Sequence, residues 1–203
     1  MVTVADFHCS SWGWYFLVLT LLSVFVVKGH AAGPHWEKGG SGSNFLCLPE
    51  NPQWRNYIDG NQQLTGYIYG IEYELHNAGT YRNNIFSERN NGGNPLAQNP
   101  ASCAVCYAGG RSAVLMIPAR TQCPQGWTTE YAGYLVSDWS NSNARPHDTK
   151  RSSYVCADEA PEVAAGGSDQ NQAGMHPVEV ACGSLPCSTY IDGRELTCIV
   201  CSK

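Results

Sequence analysis

Apolar and polar residues alternate most clearly in TGYIYGIEYELH (65–76), where Tyr67, Tyr69, Ile71, Tyr73 and Leu75 fall on one face. A period of two is strand periodicity. SAVLMIPA (112–119) is a continuous apolar run ended by Pro118, the pattern of a buried strand. PVEVAC (177–182) and LTCIVC (196–201) are shorter β-like runs, and ERNNGGNPLAQNP (88–100) reads as loop. No segment sustains a 3.6-residue apolar stripe, so the pattern predicts a mostly β fold with little helix.

One apolar stretch falls outside this scheme. WYFLVLTLLSVFVV (14–27) carries no charge and is short for a membrane span of ~20 residues. The KGHAAG after it offers Gly29 and Ala31 as small residues for a signal-peptidase cut. The expected organisation is therefore a signal peptide over 1–31, removed with Cys9. A signal anchor is the alternative, because MVTVADFHC contains no Lys or Arg. Secretion implies an oxidising compartment, and no membrane association after the leader is removed.

Composition narrows the class further. The chain has 203 residues, 43% hydrophobic and 14% charged, with Gly 21 and Pro 11, which suits loop-rich β structure. A net charge of -5 gives no basic footprint for nucleic acid. Two C-x-x-C pairs, Cys103/Cys106 and Cys198/Cys201, raise zinc, redox and disulfide readings. The 91 residues between Cys106 and Cys198 far exceed the ~15–20 of a zinc ribbon. A thioredoxin-like site needs a helix after the motif, which neither pair shows. Secreted cysteines become structural disulfides by default.

The chain also echoes itself. With Cys103 and Cys106 set against Cys198 and Cys201, SNFLCLPE (43–50) falls on SSYVCADE (152–159). Two disulfide-stapled β-rich halves in tandem are expected, 32–110 and 111–203. The second opens with TQCPQGWTTEYAGYLVSDW (121–139), which has no expected counterpart in the first.

CAVC, CPQGWTTEYAGYL, the close pair CGSLPC and the closing CIVC resemble the C-terminal non-collagenous domain of type IV collagen. NFLCLPE, LMIPARTQCPQGW, CGSLPC and GRELTCIVCSK are similar to the corresponding domain of short-chain, spongin-like invertebrate collagens. The likeness spans about residues 36–203. It implies the pairs Cys123–Cys201, Cys156–Cys198 and Cys182–Cys187 in the second half, and Cys47–Cys103 in the first. Cys106 is then left unpaired, or linked to another chain. Relatives use this domain to align chains and form trimers, so the resemblance implies extracellular-matrix proteins or further copies of itself as partners. No Gly-X-Y tract is present to wind a triple helix.

Other chemistry is weaker. Glu72, Glu74 and His76 share a strand face and suggest a hard cation, but a solvated outer face is the plainer reading, and no metal site is assigned. The acidic ADEAPE (157–162) with Asp169 lacks EF-hand spacing. Trp36, Trp54, Trp127 and Trp139 suit core or interface anchors better than sugar platforms. There is no Asn-X-Ser/Thr sequon, no G-x-S-x-G and no H-E-x-x-H, and nothing brings Cys106 to His76 or His147. No catalytic residue and no cofactor is expected. The expected function is structural: assembly in the extracellular matrix. A soluble secreted binding module (lectin-like, defence or mineral-matrix) is the alternative.

Overall fold

Short runs of Val, Ile, Tyr and Thr broken by Gly, Pro and Asn favour strands over helices. The computed structural model describes residues 24–37, 42–56, 58–61, 65–77, 80–81, 85–138, 152–170, 172–186 and 189–203. Its strands are β1 (Val24–Gly33), β2 (Leu46–Pro49), β3 (Tyr69–Tyr73), β4 (His76–Asn77), β5 (Thr80–Tyr81), β6 (Ser102–Tyr107), β7 (Val114–Pro118), β8 (Thr128–Ser137), β9 (Val155–Asp158), β10 (Ala173–Pro177) and β11 (Thr197–Ser202). One 3-10 turn at Arg89–Asn91 is the only helical element among the described residues. Nine strands form a curled sheet in the order β2-β1-β3-β10-β8-β11-β7, with β6 beside β1 and β9 beside β8. The protein is mostly β.

The apolar stretch near the N-terminus contributes to the sheet. Residues 24–31, assigned above to a cleaved leader, lie in β1. That strand pairs antiparallel with β2, β3 and β6. Ala31 and Ala32 are buried at 1% and 2% exposure. A leader core and an apolar strand have similar composition, so the run alone does not separate them. A cut at residue 31 would take away the strand that holds β2 and β6 together.

With β1 in place, two strand sets share one pairing scheme. Gly29 lies opposite both Pro49 and Cys103, as Gly133 lies opposite both Asp158 and Cys198. Ala31 faces Cys47 as Leu135 faces Cys156. Both long strands carry one unmatched residue near the outer end, Val26 in β1 and Glu130 in β8. TTEYAGYLVS and VFVVKGHAAG thus occupy like positions in the two pairing schemes.

The halves are not separate bodies. Ile71, Tyr73, Leu75, Phe86, Leu96 and Cys103 share a single buried cluster with Val136, Ala157, Ala173 and Met175. β3 and β10 join the halves through the one parallel pairing among the described strands. Next to it, the Tyr73 hydroxyl donates to the Glu162 carbonyl at 2.8 Å, and the Ala164 amide donates to the Pro100 carbonyl at 2.8 Å. Asn90 Nδ2 reaches the Ala160 carbonyl, and Arg89 pairs with Glu159 at 3.0 Å.

The row Ile71, Tyr73 and Leu75 points into this core at 1% exposure each. SAVLMIPA does form a strand, β7, but not a buried one. It lies at the end of the sheet path with Val114 and Leu115 exposed, because only β11 pairs with it among the described strands.

Candidate functional site

Three bridges join Cys47 to Cys103, Cys123 to Cys201 and Cys156 to Cys198, at Cα separations of 5.6, 5.9 and 5.8 Å. Cys106 and Cys182 are disulfide-bonded too, and no cysteine is free among the described residues. The expectation of an unpaired Cys106 is thus corrected. It rested on a first half without its leading strand, whereas β1 runs beside β6 with Phe25 opposite Cys106. Cys9 and Cys187 lie outside the described residues. Several disulfides fit a protein of an oxidising, extracellular compartment.

Two of the bridges share an unusual geometry. β2 and β6 lie on opposite edges of β1, since Gly29 and His30 pair with both. Strands two apart in a flat sheet stand ~10 Å from one another. Yet Cys47 and Cys103 approach to 5.6 Å, bridging over β1. The sheet folds shut across Gly29, and a Cβ there would overlap the Leu48 carbonyl oxygen. The second half repeats the arrangement: Cys156 and Cys198 bridge over β8, and a Cβ on Gly133 would overlap the Ala157 carbonyl oxygen. Each glycine is thus required by close backbone approach.

Sequence reasoning singled out the cysteines and missed both glycines. A signal was present: an isolated Gly inside a strand pattern marks such an approach, and KGHAA and AGYLV place it alike.

Beneath the second fold, Tyr131, Leu135, Cys156, Cys198 and Val200 form a smaller buried cluster. The Tyr131 hydroxyl donates to the Cys156 carbonyl at 3.0 Å. Burial first, then the nearby Asp158 charge, holds its proton far more tightly than an ordinary phenol does. The sign follows from linkage. The folded state keeps the proton that the unfolded chain releases near pH 10, so this contribution is complete below about pH 10 and declines above it. Tyr131→Phe is expected to cost ~1 kcal/mol at pH 7, from the lost hydrogen bond. It is also expected to flatten the alkaline fall in stability, read from urea midpoints between about pH 8 and 11. Equal alkaline slopes for the two proteins would refute this role for Tyr131.

The remaining candidates divide. Glu72 is not on a solvated face: it is 4% exposed, paired across to Pro100, and accepts the Gln170 amide at 2.8 Å. Glu74 stands half-buried with its amide bonded to the Met175 carbonyl, and no cluster of three metal-ligating side chains occurs among the described residues. The acidic loop is structural, with Asp158 accepting the Ala160 amide and Glu159 pairing with Arg89. Trp54 is 76% and Trp36 40% exposed, and Trp127 is half-buried, so none of the three is a core anchor. Trp139 and His147 lie outside the described residues. No protein-family profile matches the chain, and no solved structure matches it.

Proposed function

We propose that this is a secreted structural protein of the extracellular matrix that works by protein–protein assembly, with two related halves in tandem. It is similar to a collagen C-terminal domain but has no collagenous tract. The observation that carries this reading is the loop between β2 and β3, which presents Trp54 and Ile58 at 76% and 78% exposure. The loop follows the strand whose Cys47 is bonded to Cys103. Large exposed apolar groups are the usual anchors of protein interfaces, with Trp foremost. The partner is a matrix protein or a further copy of this chain.

The native mass of the secreted protein is expected to be a multiple of the protomer mass. It should stay so under mild reductant, since Cys106 is already bonded. Trp54→Ser with Ile58→Ser is expected to shift the population to monomer while leaving the thermal midpoint within a few degrees, as for other surface changes. Light scattering coupled to size exclusion reads both. A wild-type monomer that also fails to bind collagenous matrix would overturn the reading.

A further inference from the structure

The turn at Arg89–Asn91 stitches the two halves together. Ahead of it the Ser87 amide donates to the Glu159 carbonyl at 2.7 Å. Within it Arg89 pairs with Glu159, and Asn90 Nδ2 donates to the Ala160 carbonyl. Asn91, which ends the turn, is bonded only inside segment 88–94 among the described residues. Its amide donates to the Glu88 carbonyl at 3.0 Å and its Nδ2 to the Asn94 carbonyl at 3.0 Å. Asn94 Nδ2 returns to the Asn91 carbonyl at 2.9 Å.

Gly92 and Gly93 follow, both exposed. Where a Cβ on Gly92 would stand, only Asn94 Nδ2 comes near, at 3.7 Å. The main-chain nitrogen after Asn91 therefore has no side chain of its own residue to shield it, and little else around it. Asn91–Gly92 is the one Asn-Gly dipeptide in the chain. The neighbouring asparagines differ. Asn94 and Asn99 precede prolines, which have no N–H, and Asn90 precedes a residue with a side chain.

We propose that Asn91 is a site of spontaneous deamidation, and that its conversion loosens the seam between the halves. The Gly92 nitrogen gives up its proton and attacks Asn91 Cγ. A C–N bond forms, the Cγ–Nδ2 bond breaks and ammonia leaves. Water then opens the five-membered imide at either carbonyl, giving aspartate or its β-linked isomer. The net change is one water in and one ammonia out, with no oxidant or reductant. Ring closure needs only the local opening of one exposed turn, the kind of segment that opens most readily. Either product is a carboxylate, which cannot donate to the Asn94 carbonyl as the amide did. The isomer also adds a methylene to the main chain where the Asn91, Gly93 and Asn94 amides set the turn. The turn that carries Arg89 and Asn90 then loses its geometry, and their hold on Glu159 and Ala160 weakens.

The test is to hold the intact protein at physiological temperature and mildly alkaline pH, then map its peptides by mass spectrometry with enzymatic methyl labelling of isoaspartate. Asn91 is expected to convert ~10-fold or more faster than any other asparagine. Asn91→Gln, which would need a six-membered ring, should convert ~10-fold or more slower than wild type. The deamidated fraction, separated by ion exchange on its added negative charge, should exchange the Ser87 amide hydrogen ~3–10-fold faster than fresh protein. Asn91→Asp should do the same, and if that variant does not fold, the aged fraction alone decides. The proposal is overturned if Asn91 stays intact, if another asparagine converts faster, or if the deamidated fraction exchanges Ser87 at the rate of fresh protein.

Discussion

Gly133→Ala is expected to lower stability by about 4 kcal/mol or more, enough to keep most of the chain from folding. The methyl group would occupy the position of the Ala157 carbonyl oxygen, which is backbone and cannot swing aside as a side chain does. Relief requires β9 to lift off β8. That breaks the Gly133–Asp158 and Tyr134–Ala157 pairings and strains the bridge that pins β9 to β11. Gly29→Ala should act alike in the first half, against the Leu48 carbonyl.

The right control is Gly70→Ala, since Gly70 lies in β3 with open space where its Cβ would stand. That change should be neutral, or stabilise by ~0.5 kcal/mol through the unfolded chain. Guanidinium midpoints of the three variants check the argument. A Gly133→Ala protein within ~1 kcal/mol of Gly70→Ala would mean that the close approach is not a constraint on the fold.

This contrast marks what the chain reveals unaided and what it hides. The inward row from Ile71 to Leu75 was legible because alternation on a half-buried strand is a one-dimensional signal. The cysteine echo was legible for the same reason, as spacing survives in the linear sequence. β1 was not, because the apolar run of Val24–Gly33 lacks the strict alternation that would separate a strand from a leader, and only its pairing with β2, β3 and β6 marks it as one. The reading of Cys106 as unpaired rested on the same run.

Glu72 failed differently. Its amide donor, Gln170, stands 98 residues away, and only the parallel joining of β3 to β10 brings the two together. The exposed loop holding Trp54 carries no local pattern that distinguishes an outward Trp from a core one.

Removing the Cys156–Cys198 bridge is the second large expected effect, and it tests the first. Its closed loop spans 42 residues, for which the chain-entropy account gives about 4 kcal/mol. Both cysteines are buried at 2% exposure or less, so a Cys156→Ala/Cys198→Ala pair also loses packing in the cluster around Tyr131 and Val200.

The informative measurement is the combination with Gly133→Ala. If the bridge is what holds β9 and β11 folded across Gly133, cutting it lets the two strands spread toward the ~10 Å of an open sheet, and the added methyl finds room. The triple variant should then be less unstable than the sum of its parts, by ~1–3 kcal/mol of coupling. Strict additivity would show that the strand crossing is set by the β8–β9 and β8–β11 ladders alone, with the disulfide recording a fold it does not enforce. Guanidinium titrations under conditions where all variants keep a folded baseline distinguish the two outcomes.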